Sequence, residues 1–456
     1  MFAMPAALWL QRRGLHFSWV VAGIAFLTML TSAAALGLPG ALLPALGREF
    51  GWRIDEISSA LALRFALFGL LGPFSAILME RHGLRAIVGA AMVLIASAML
   101  LSTQMTQVWH LVALWGLVLG LGSGLTALVL GAVVVNRWFD ERRGLVLGVL
   151  TASSATGQLL FLPLAAWLSE TYGWRMAVLP VCGVCLAVAA LAFCLMRDRP
   201  EDLGLAPYGA PHELRHDASS GAVDGVSNGV GHGVRLGAPP AAGSAPASRS
   251  PSVRPSLLAP FATLADVSRS RSFWVLFGTF FICGLSTSGL IQTHFIALCG
   301  DFGLAAVPAA SVLAMMGAFD FVGTILSGWL SDRYDNRKLL FWYYGLRGLS
   351  LFWLPYSEFT LYGLSLFAMF YGLDWIATVP PTVKLAAASF GRERAGMVFG
   401  WIFAGHQLGG AFAAYGAGLA RTLLMTYTPA LWAAGAACLV AALSIFLIRR
   451  PAPAAG

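Results

Sequence analysis

Long apolar segments with almost no charge recur along the whole chain, and they restrict its fold more than any other feature. The first of them runs from His16 to Leu46 without one acidic residue, lysine or arginine. A helix that crosses a bilayer needs about 20 mostly apolar residues, whereas a membrane β-barrel shows segments of about ten residues with alternating polarity. Because 58% of the residues are hydrophobic and only 11% are charged, the sequence excludes a water-soluble protein and predicts membrane-spanning helices.

Twelve such segments can be placed, which predicts an all-α integral membrane protein with twelve transmembrane helices. Each end is placed to within a few residues. The predicted spans are 17–46, 57–79, 84–104, 109–135, 144–169, 174–196, 272–299, 305–331, 338–357, 360–388, 395–420 and 427–448.

The lysines and arginines of the loops predict the orientation. With an even number of spans both termini lie on one side, and that side carries 22 basic residues against 4 on the other. Basic loops stay in the cytosol, so we expect both termini there, in a multi-pass protein of the cell (inner or plasma) membrane. This placement in short loops argues against nucleic-acid binding, although the net charge is +8.

The spans divide into two sets of six around a long connector. Residues 209–255 are mostly Gly, Ala, Ser, Pro and Val, a composition that cannot bury enough apolar surface to fold. A His-Glu-x-x-His pattern at 212–216 lies there without a rigid helix or a third ligand, so no metal or cofactor is predicted. The expected organisation is a first bundle (1–196), a cytosolic connector (197–271, disordered over 209–255, with a short surface helix over 260–271), a second bundle (272–448) and a cytosolic tail (449–456).

The two sets of spans share landmarks at a constant offset of 252 residues. Glu80-Arg81 follows span two and Asp332-Arg333 follows span eight, while Gly144 and Gly148 of span five match Gly396 and Gly400 of span eleven. Two matches at one offset indicate a duplicated six-helix unit, and hence two pseudo-symmetric bundles.

These residues resemble the major facilitator superfamily. Its loop signature is similar to Gly328-Trp-Leu-Ser-Asp-Arg-Tyr-Asp-Asn-Arg-Lys338, with Asp335 in place of the second Gly, while the first copy has Ala76 for the first Gly and Glu80 for Asp. Asn136-Arg-Trp-Phe-Asp-Glu-Arg-Arg-Gly144, with Glu49-Phe-Gly-Trp52, resembles the monocarboxylate and oxalate:formate antiporter branch. The resemblance implies the major facilitator fold, with two bundles that rock about a central site and open alternately to each side.

Charged residues at the cytosolic helix ends are candidates for an inner gate. An acid followed by Arg can pair with basic residues at the start of the facing helix, closing the gate by charge pairs that break on opening. The alternative is that the basic residues only set the topology. The gate candidates are Glu80, Arg81, Arg85, Arg143, Asp332, Arg333, Arg337 and Lys338.

Polar residues inside the spans are the candidates for substrate binding and coupling, because an ionisable group at the bilayer centre costs about 2.5–3.5 kcal/mol. Gln158 and His406 occupy the middle of spans five and eleven, and a histidine can relay protons. Arg347 is expected to play a structural role at the bundle periphery. The candidates are Arg64, Gln158, Asp320, Tyr371, Asp374, Lys384 and His406.

Asp320 and Asp374 are the only acids well inside the spans. Asp320 lies on a polar stripe with Thr324 and Ser327, and it resembles an Asp that monocarboxylate transporters carry in this helix, although Thr324 stands where they have Arg. Asp374 lies among aromatic residues before Pro380-Pro381, and paired prolines interrupt a helix. Asp320 is therefore the preferred proton carrier, and Asp374 is better suited to hold substrate.

Together these features predict a secondary active transporter for a small organic solute, either a monocarboxylate or another organic anion, coupled to protons. It would act as a monomer in the lipid bilayer. The alternatives are a proton-coupled drug or metabolite efflux antiporter, and a transport-inactive membrane sensor. An enzyme is not expected, because no span contains a paired catalytic set.

Overall fold

The computed structural model describes residues 3–126, 129–210 and 258–448 of the 456-residue chain. Apart from its first two residues, the segment predicted to be disordered, 209–255, lies outside the described residues. The same holds for the pattern at 212–216 and for the tail 449–456.

Apolar helices make up most of the first half, as the sequence predicts. Pro39 and Pro44 lie inside the first spanning helix, where proline is tolerated because neighbouring helices satisfy the freed backbone groups. The helices are α1 (Ala3–Arg12), α2 (Ser18–Phe50), α3 (Ile54–His82), α4 (Leu84–Ser102), α5 (108–125, π-helical over Val112–Val118), α6 (Val129–Trp138), α7 (Arg143–Tyr172) and α8 (Trp174–Leu195).

The second half follows the same pattern. The tenth span, predicted over 360–388 with an interruption at Pro380-Pro381, is two helices separated by a turn at 375–378. The surface helix predicted over 260–271 spans Ala259–Val267. The helices are α9 (Ala259–Val267), α10 (Arg271–Asp301, π-helical over Leu285–Gln292), α11 (Ala306–Ser331), α12 (Asn336–Trp353), α13 (Leu361–Asp374), α14 (Val379–Phe390), α15 (Arg392–Leu424) and α16 (Thr428–Ser444).

The predicted fold class, an all-α membrane protein, is confirmed. Within the described residues, nine helical segments are long and apolar enough to cross a bilayer. The other three predicted spans coincide with α7, α12 and α15, and the total of twelve stays a prediction.

The start of the connector packs against the first half. The backbone N–H of Tyr208 donates to the carbonyl of Trp138 at 2.9 Å, and the carbonyl of Tyr208 accepts from Asp140 at 2.8 Å. The ring of Tyr208 contacts Trp19 and Phe139. These contacts hold residues up to 210 near the end of α6.

At the predicted outer end the two halves share one hydrophobic core. Ala41 of α2 and Leu162 and Ala166 of α7 are buried in the same cluster as Leu290 of α10 and Met316 of α11. The carboxylate of Glu170 also accepts a hydrogen bond from the backbone N–H of Ala306 at 3.0 Å. The halves are therefore closed against each other at this end.

At the predicted cytosolic end the two halves have separate cores. One core contains Trp138 and Met196 and the other contains Phe273 and Trp401, and Phe74 of α3 packs against the second. Among the described residues, nothing lies within 4 Å of a Cβ added at Gly144, Gly148 or Gly328, where α7 and α11 approach this end. The halves therefore share a core at the predicted outer end, whereas at this end they meet between α3 and α15, where Phe74 packs against Trp401, and the glycine faces of α7 and α11 lie open.

Candidate functional site

The centre of the candidate site is the break in the tenth span, and two prolines explain it. In a continuous helix, the N–H groups of residues 380 and 381 would donate to the carbonyls of 376 and 377. Pro380 and Pro381 have no N–H, so both carbonyls need other donors. The carbonyl of Ile376 accepts from the N–H of Val379 in a tighter turn at 2.9 Å. Other backbone groups of the break form hydrogen bonds with side chains of neighbouring helices.

Three side chains from α11 and α12 satisfy the open backbone of the break. Asp320 Oδ1 accepts from the N–H of Ile376 at 2.8 Å, and Ser327 Oγ donates to the carbonyl of Ala377 at 2.5 Å. Arg347 Nη2 donates to the carbonyls of residues 374 and 375 at 2.5 and 3.2 Å. Buried backbone groups are costly when unpaired, so these bonds hold the break.

Arg347 was expected on a helix at the bundle periphery, and α12 does expose Trp342, Leu346 and Leu349. The Arg347 side chain itself lies on the inner face of this helix, with 1% of the residue exposed. Its Nε donates to Asp374 Oδ2 at 2.7 Å, and its Nη1 donates to the sulfur of Cys283 on α10 at 2.9 Å. Every nitrogen of the guanidinium thus has a partner, and the structural role of Arg347 stays a prediction.

Asp320 is buried on the face of α11 that packs against α13. The two helices approach closely because Gly323 and Gly372 have no side chain: a Cβ on either would collide with the backbone of Leu373 or Met316, respectively. Thr324 donates to Asp320 Oδ1 at 3.1 Å. The polar stripe therefore faces α13 and the break, as a stripe that avoids lipid should.

Asp374 and Tyr371 face the same cluster from α13. The hydroxyl of Tyr371 donates to the carbonyl of Ser286 at 2.8 Å, and its ring packs against Phe367 and Trp375. Asp374 Oδ1 is buried and has no hydrogen-bond partner among the described residues. Asp374 is thus half satisfied by Arg347, which leaves one oxygen for a further donor.

Lys384 lies away from this cluster, at the predicted cytosolic end of α14. Its ammonium pairs with the carboxylate of Asp332 at the end of α11. Both groups are accessible, with 39% and 68% of the side chains exposed. The ammonium and its hydrogen bond hold the pKa of Asp332 below its ordinary value. Asp332 therefore pairs with a residue of its own half. The expected pairing with basic residues at the start of the facing helix is not seen among the described residues.

Other gate candidates make local contacts. Arg143 pairs with Asp140 at 2.5 Å, and Arg337 pairs with Asp335 at 2.9 Å. Arg333 lies over the ring of Trp329, and the N–H of Arg85 donates to Asp198 Oδ1 at 3.1 Å. The gate role of these residues, and of Glu80, Arg81 and Lys338, stays a prediction.

Arg64 of α3 is the opposite case to Arg347. Only 1% of it is exposed, yet its Nε and Nη1 have no hydrogen-bond partner among the described residues. Its backbone lies against Gly120 of α5, where a Cβ would stand 3.1 Å from Arg64 Cα. Its guanidinium lies over the ring of Phe65 at 4.6 Å. A buried guanidinium without a carboxylate partner is expensive, which makes Arg64 unusual among the described charged residues.

His406 and Gln158 belong to the helices that face the opposite half. The ring of His406 stacks on Phe403 at 5.9 Å and contacts Phe280 at 5.0 Å, and its buried Nδ1 is unpartnered among the described residues. Gln158 lies in α7, but its side chain is outside the part that the structure describes. The side chain of His406 also contacts Cys283, the residue to which Arg347 donates, so His406 borders the cluster around the break.

A multi-pass helical protein with charged residues buried between its helices, and with two halves that share a core at one end, is typical of membrane transporters. The sequence profile of the Major Facilitator Superfamily matches residues 21–414. The chain belongs to this family, which confirms the resemblance seen in its loops.

Curated relatives point in the same direction. The chain is 25% identical over 386 residues to the uncharacterized MFS-type transporter YcxA of Bacillus subtilis (strain 168), covering 80% of this chain and 78% of that protein. It is 26% identical over 387 residues to monocarboxylate transporter 13 of Bos taurus, covering 84% and 77%. It is 30% identical over 196 residues to monocarboxylate transporter 11 of Mus musculus, covering 43% of each. These relatives are transporters by name.

Proposed function

We propose that this protein is a secondary active transporter that moves a small organic anion, a monocarboxylate in the first instance, by alternating access coupled to protons. It acts as a monomer in the cell membrane with both termini in the cytosol. A core shared by the two halves at the outer end, together with open glycine faces on α7 and α11 at the cytosolic end, is compatible with one state of such a cycle.

The main support for an anionic substrate is the guanidinium of Arg64, which is buried and has two nitrogens without a hydrogen-bond partner among the described residues. Guanidinium groups bind carboxylates through two parallel hydrogen bonds, and two nitrogens of Arg64 have no partner among the described residues. Arg347, equally buried, has all of its nitrogens occupied. The names of the monocarboxylate relatives support the same substrate class.

Asp320 is the proposed proton carrier. It is buried and lacks an ion-pair partner among the described residues, whereas Asp374 is paired with Arg347. Without a neutralising cation, the charge of Asp320 can be lost and regained by protonation as its surroundings change.

Ligand-dependent thermal stability of the purified full-length protein tests the substrate class. A molecule that binds the folded state raises the unfolding temperature, and saturation at 100 times Kd corresponds to about 2.7 kcal/mol. We expect short monocarboxylates such as lactate to do so, and the corresponding amides and amines not to. Arg64→Gln should abolish the shift while leaving the unliganded protein at least as stable, because it removes an unpaired charge.

The matched control is Arg269→Gln, the same change at an exposed loop position, which should retain the full shift. An equal shift for Arg64→Gln and wild type would contradict the assignment of Arg64. Stabilisation by amines instead of carboxylates would contradict an anionic substrate.

A further inference from the structure

The helix break at 375–378 is held from two sides by chemically different groups. Arg347 donates to the carbonyls of residues 374 and 375, the last residue of α13 and the first of the break. Asp320 bonds the N–H of Ile376, which leads into α14. The change of partner falls between residues 375 and 376, so each part of the span is fixed to the bundle by its own side chain.

We propose that ionised Asp320 locks this break and that protonation of Asp320 releases it, so that α14 bends relative to α13 about residues 375–378. Asp320 thereby acts as the pH-sensitive latch of a hinge, a role that rests on the proposed function only in making Asp320 the proton carrier. Arg347 and Ser327 are positioning residues, because they bind the backbone carbonyls of the break.

The chemistry of the carboxyl group supports a latch. One oxygen, Asp320 Oδ1, accepts from both Ile376 and Thr324. Hydrogen bonds to an ionised acceptor are roughly twice as strong as neutral ones. A proton on Asp320 weakens both bonds and adds an O–H donor beside an N–H that is already a donor.

The titratable and charged groups around Asp320 are Arg347, Asp374, Cys283 and, through Cys283, His406 of α15. Of the two carboxyl groups, Asp320 is the one without an ion-pair partner among the described residues. Arg347 of α12 is bound to Asp374 of α13, and Cys283 of α10 is bound to Arg347 and to Thr378 of the break. The Arg347 side of the break thus has an ion pair of its own, made through other atoms than the hydrogen bonds of Asp320.

Movement of α14 would reach the predicted cytosolic end. Lys384 lies one to two turns into α14 and pairs with Asp332, at the end of the helix that carries Asp320. Three links, at Ile376, Ala377 and Lys384, thus join α14 and its leading segment to α11. If the bond to Ile376 is lost, of these three links only those at Ala377 and Lys384 still hold α14 to α11, so a movement of α14 would strain these two.

Hydrogen–deuterium exchange of the intact protein in lipid nanodiscs tests the latch. The readout is the exchange rate of peptides covering 371–384 between pH 7.5 and pH 5.5, corrected for the intrinsic rate. In the wild type we expect these amides to exchange about five- to tenfold faster, relative to the intrinsic rate, at the lower pH, the effect of replacing a charged by a neutral acceptor. Asp320→Asn, a neutral isostere, should exchange fast at both pH values.

Ser327→Ala distinguishes a side chain that only binds the break from the group that responds to pH. It removes the donor to Ala377 without changing a charge, so exchange should rise at both pH values while the pH response remains. Ser311→Ala is the matched control, since Ser311 lies on the same helix and bonds only to the Val307 carbonyl of its own helix in the described contacts. It should behave as the wild type.

Exchange in the wild type that does not change with pH, or an unchanged pH response in Asp320→Asn, would overturn the latch. Unaltered exchange in Ser327→Ala would show that these side chains do not hold the break. Proton-driven transport with pH-independent exchange rejects this inference alone, and pH-dependent exchange without proton-driven transport rejects the proposed function alone.

Discussion

At the scale of single residues, Arg347 and Asp374 show how a membrane protein keeps opposite charges inside its helices. Their side chains are 0% and 9% exposed. Breaking a buried ion pair leaves an uncompensated charge, which typically destabilises a protein by about 3–5 kcal/mol, whereas replacing both partners by apolar residues costs less.

Arg347→Gln is therefore expected to lower the free energy of unfolding by about 3–5 kcal/mol, measured by thermal or denaturant unfolding in detergent. The double variant Arg347→Met, Asp374→Leu should lose less stability than Arg347→Met or Asp374→Leu alone. It should not restore wild-type stability, because the carbonyls of residues 374 and 375 still lack their donor. Arg421→Gln, which breaks a more exposed pair with Asp301, is the control and should have a much smaller effect. A double variant that is less stable than both single variants would contradict this reading.

The pair also shows what the sequence could and could not reveal about the site. Arg347 and Asp374 lie 13 and 14 residues from Thr360, at nearly equal distances from the turn between antiparallel spans. Their equal distance was a usable signal for contact between neighbouring helices. The partners of Asp320 and Lys384 gave no such signal, because they depend on which helices are neighbours in space.

At the scale of elements, hydropathy predicts where helices lie more reliably than where they are interrupted. The ends of α4 and α11 fall within two residues of the predicted spans, since charge and apolarity change sharply at the membrane surface. The break after α13 was indicated by Pro380-Pro381, but its compensation by Asp320, Ser327 and Arg347 requires knowledge of the packing. The prolines in the sequence predict the interruption, but the side chains that bind its backbone come from other helices and can be identified only from the structure.

The link between α11 and α14 at Asp332 and Lys384 gives a pH-dependent expectation. Lys384 holds the pKa of Asp332 below its ordinary value. The pair therefore contributes its stabilisation above the ordinary pKa of an aspartate, about 4, and loses it as the pH falls through the lowered value.

We expect Asp332→Asn to lower the unfolding temperature slightly at neutral pH, since exposed pairs contribute little. The difference from the wild type should stay constant from pH 7 to about pH 5 and shrink at more acidic pH. Glu201→Gln, at an exposed acid of the same end, is the control. A difference that grows on acidification would contradict the sign of the effect.

At the scale of the whole molecule, family membership and fold class could be predicted from the sequence, but the arrangement of the halves could not. Repeated landmarks such as Glu80 and Asp332 predicted the duplication. The shared outer core and the separate cytosolic cores arise from surfaces that each half presents to the other. Two bistable arrangements of such surfaces are what alternating access needs.

The central claim is that a proton gradient drives an organic anion through this protein, with Asp320 as the proton carrier. The most direct measurement is uptake of labelled lactate into proteoliposomes under an imposed inward proton gradient. The wild type should accumulate lactate above its external concentration and lose this accumulation when an ionophore collapses the gradient. Asp320→Asn should retain lactate exchange but not accumulation, because exchange does not require the empty, deprotonated carrier to reorient. Accumulation that survives the ionophore, or that persists in Asp320→Asn, would contradict the claim.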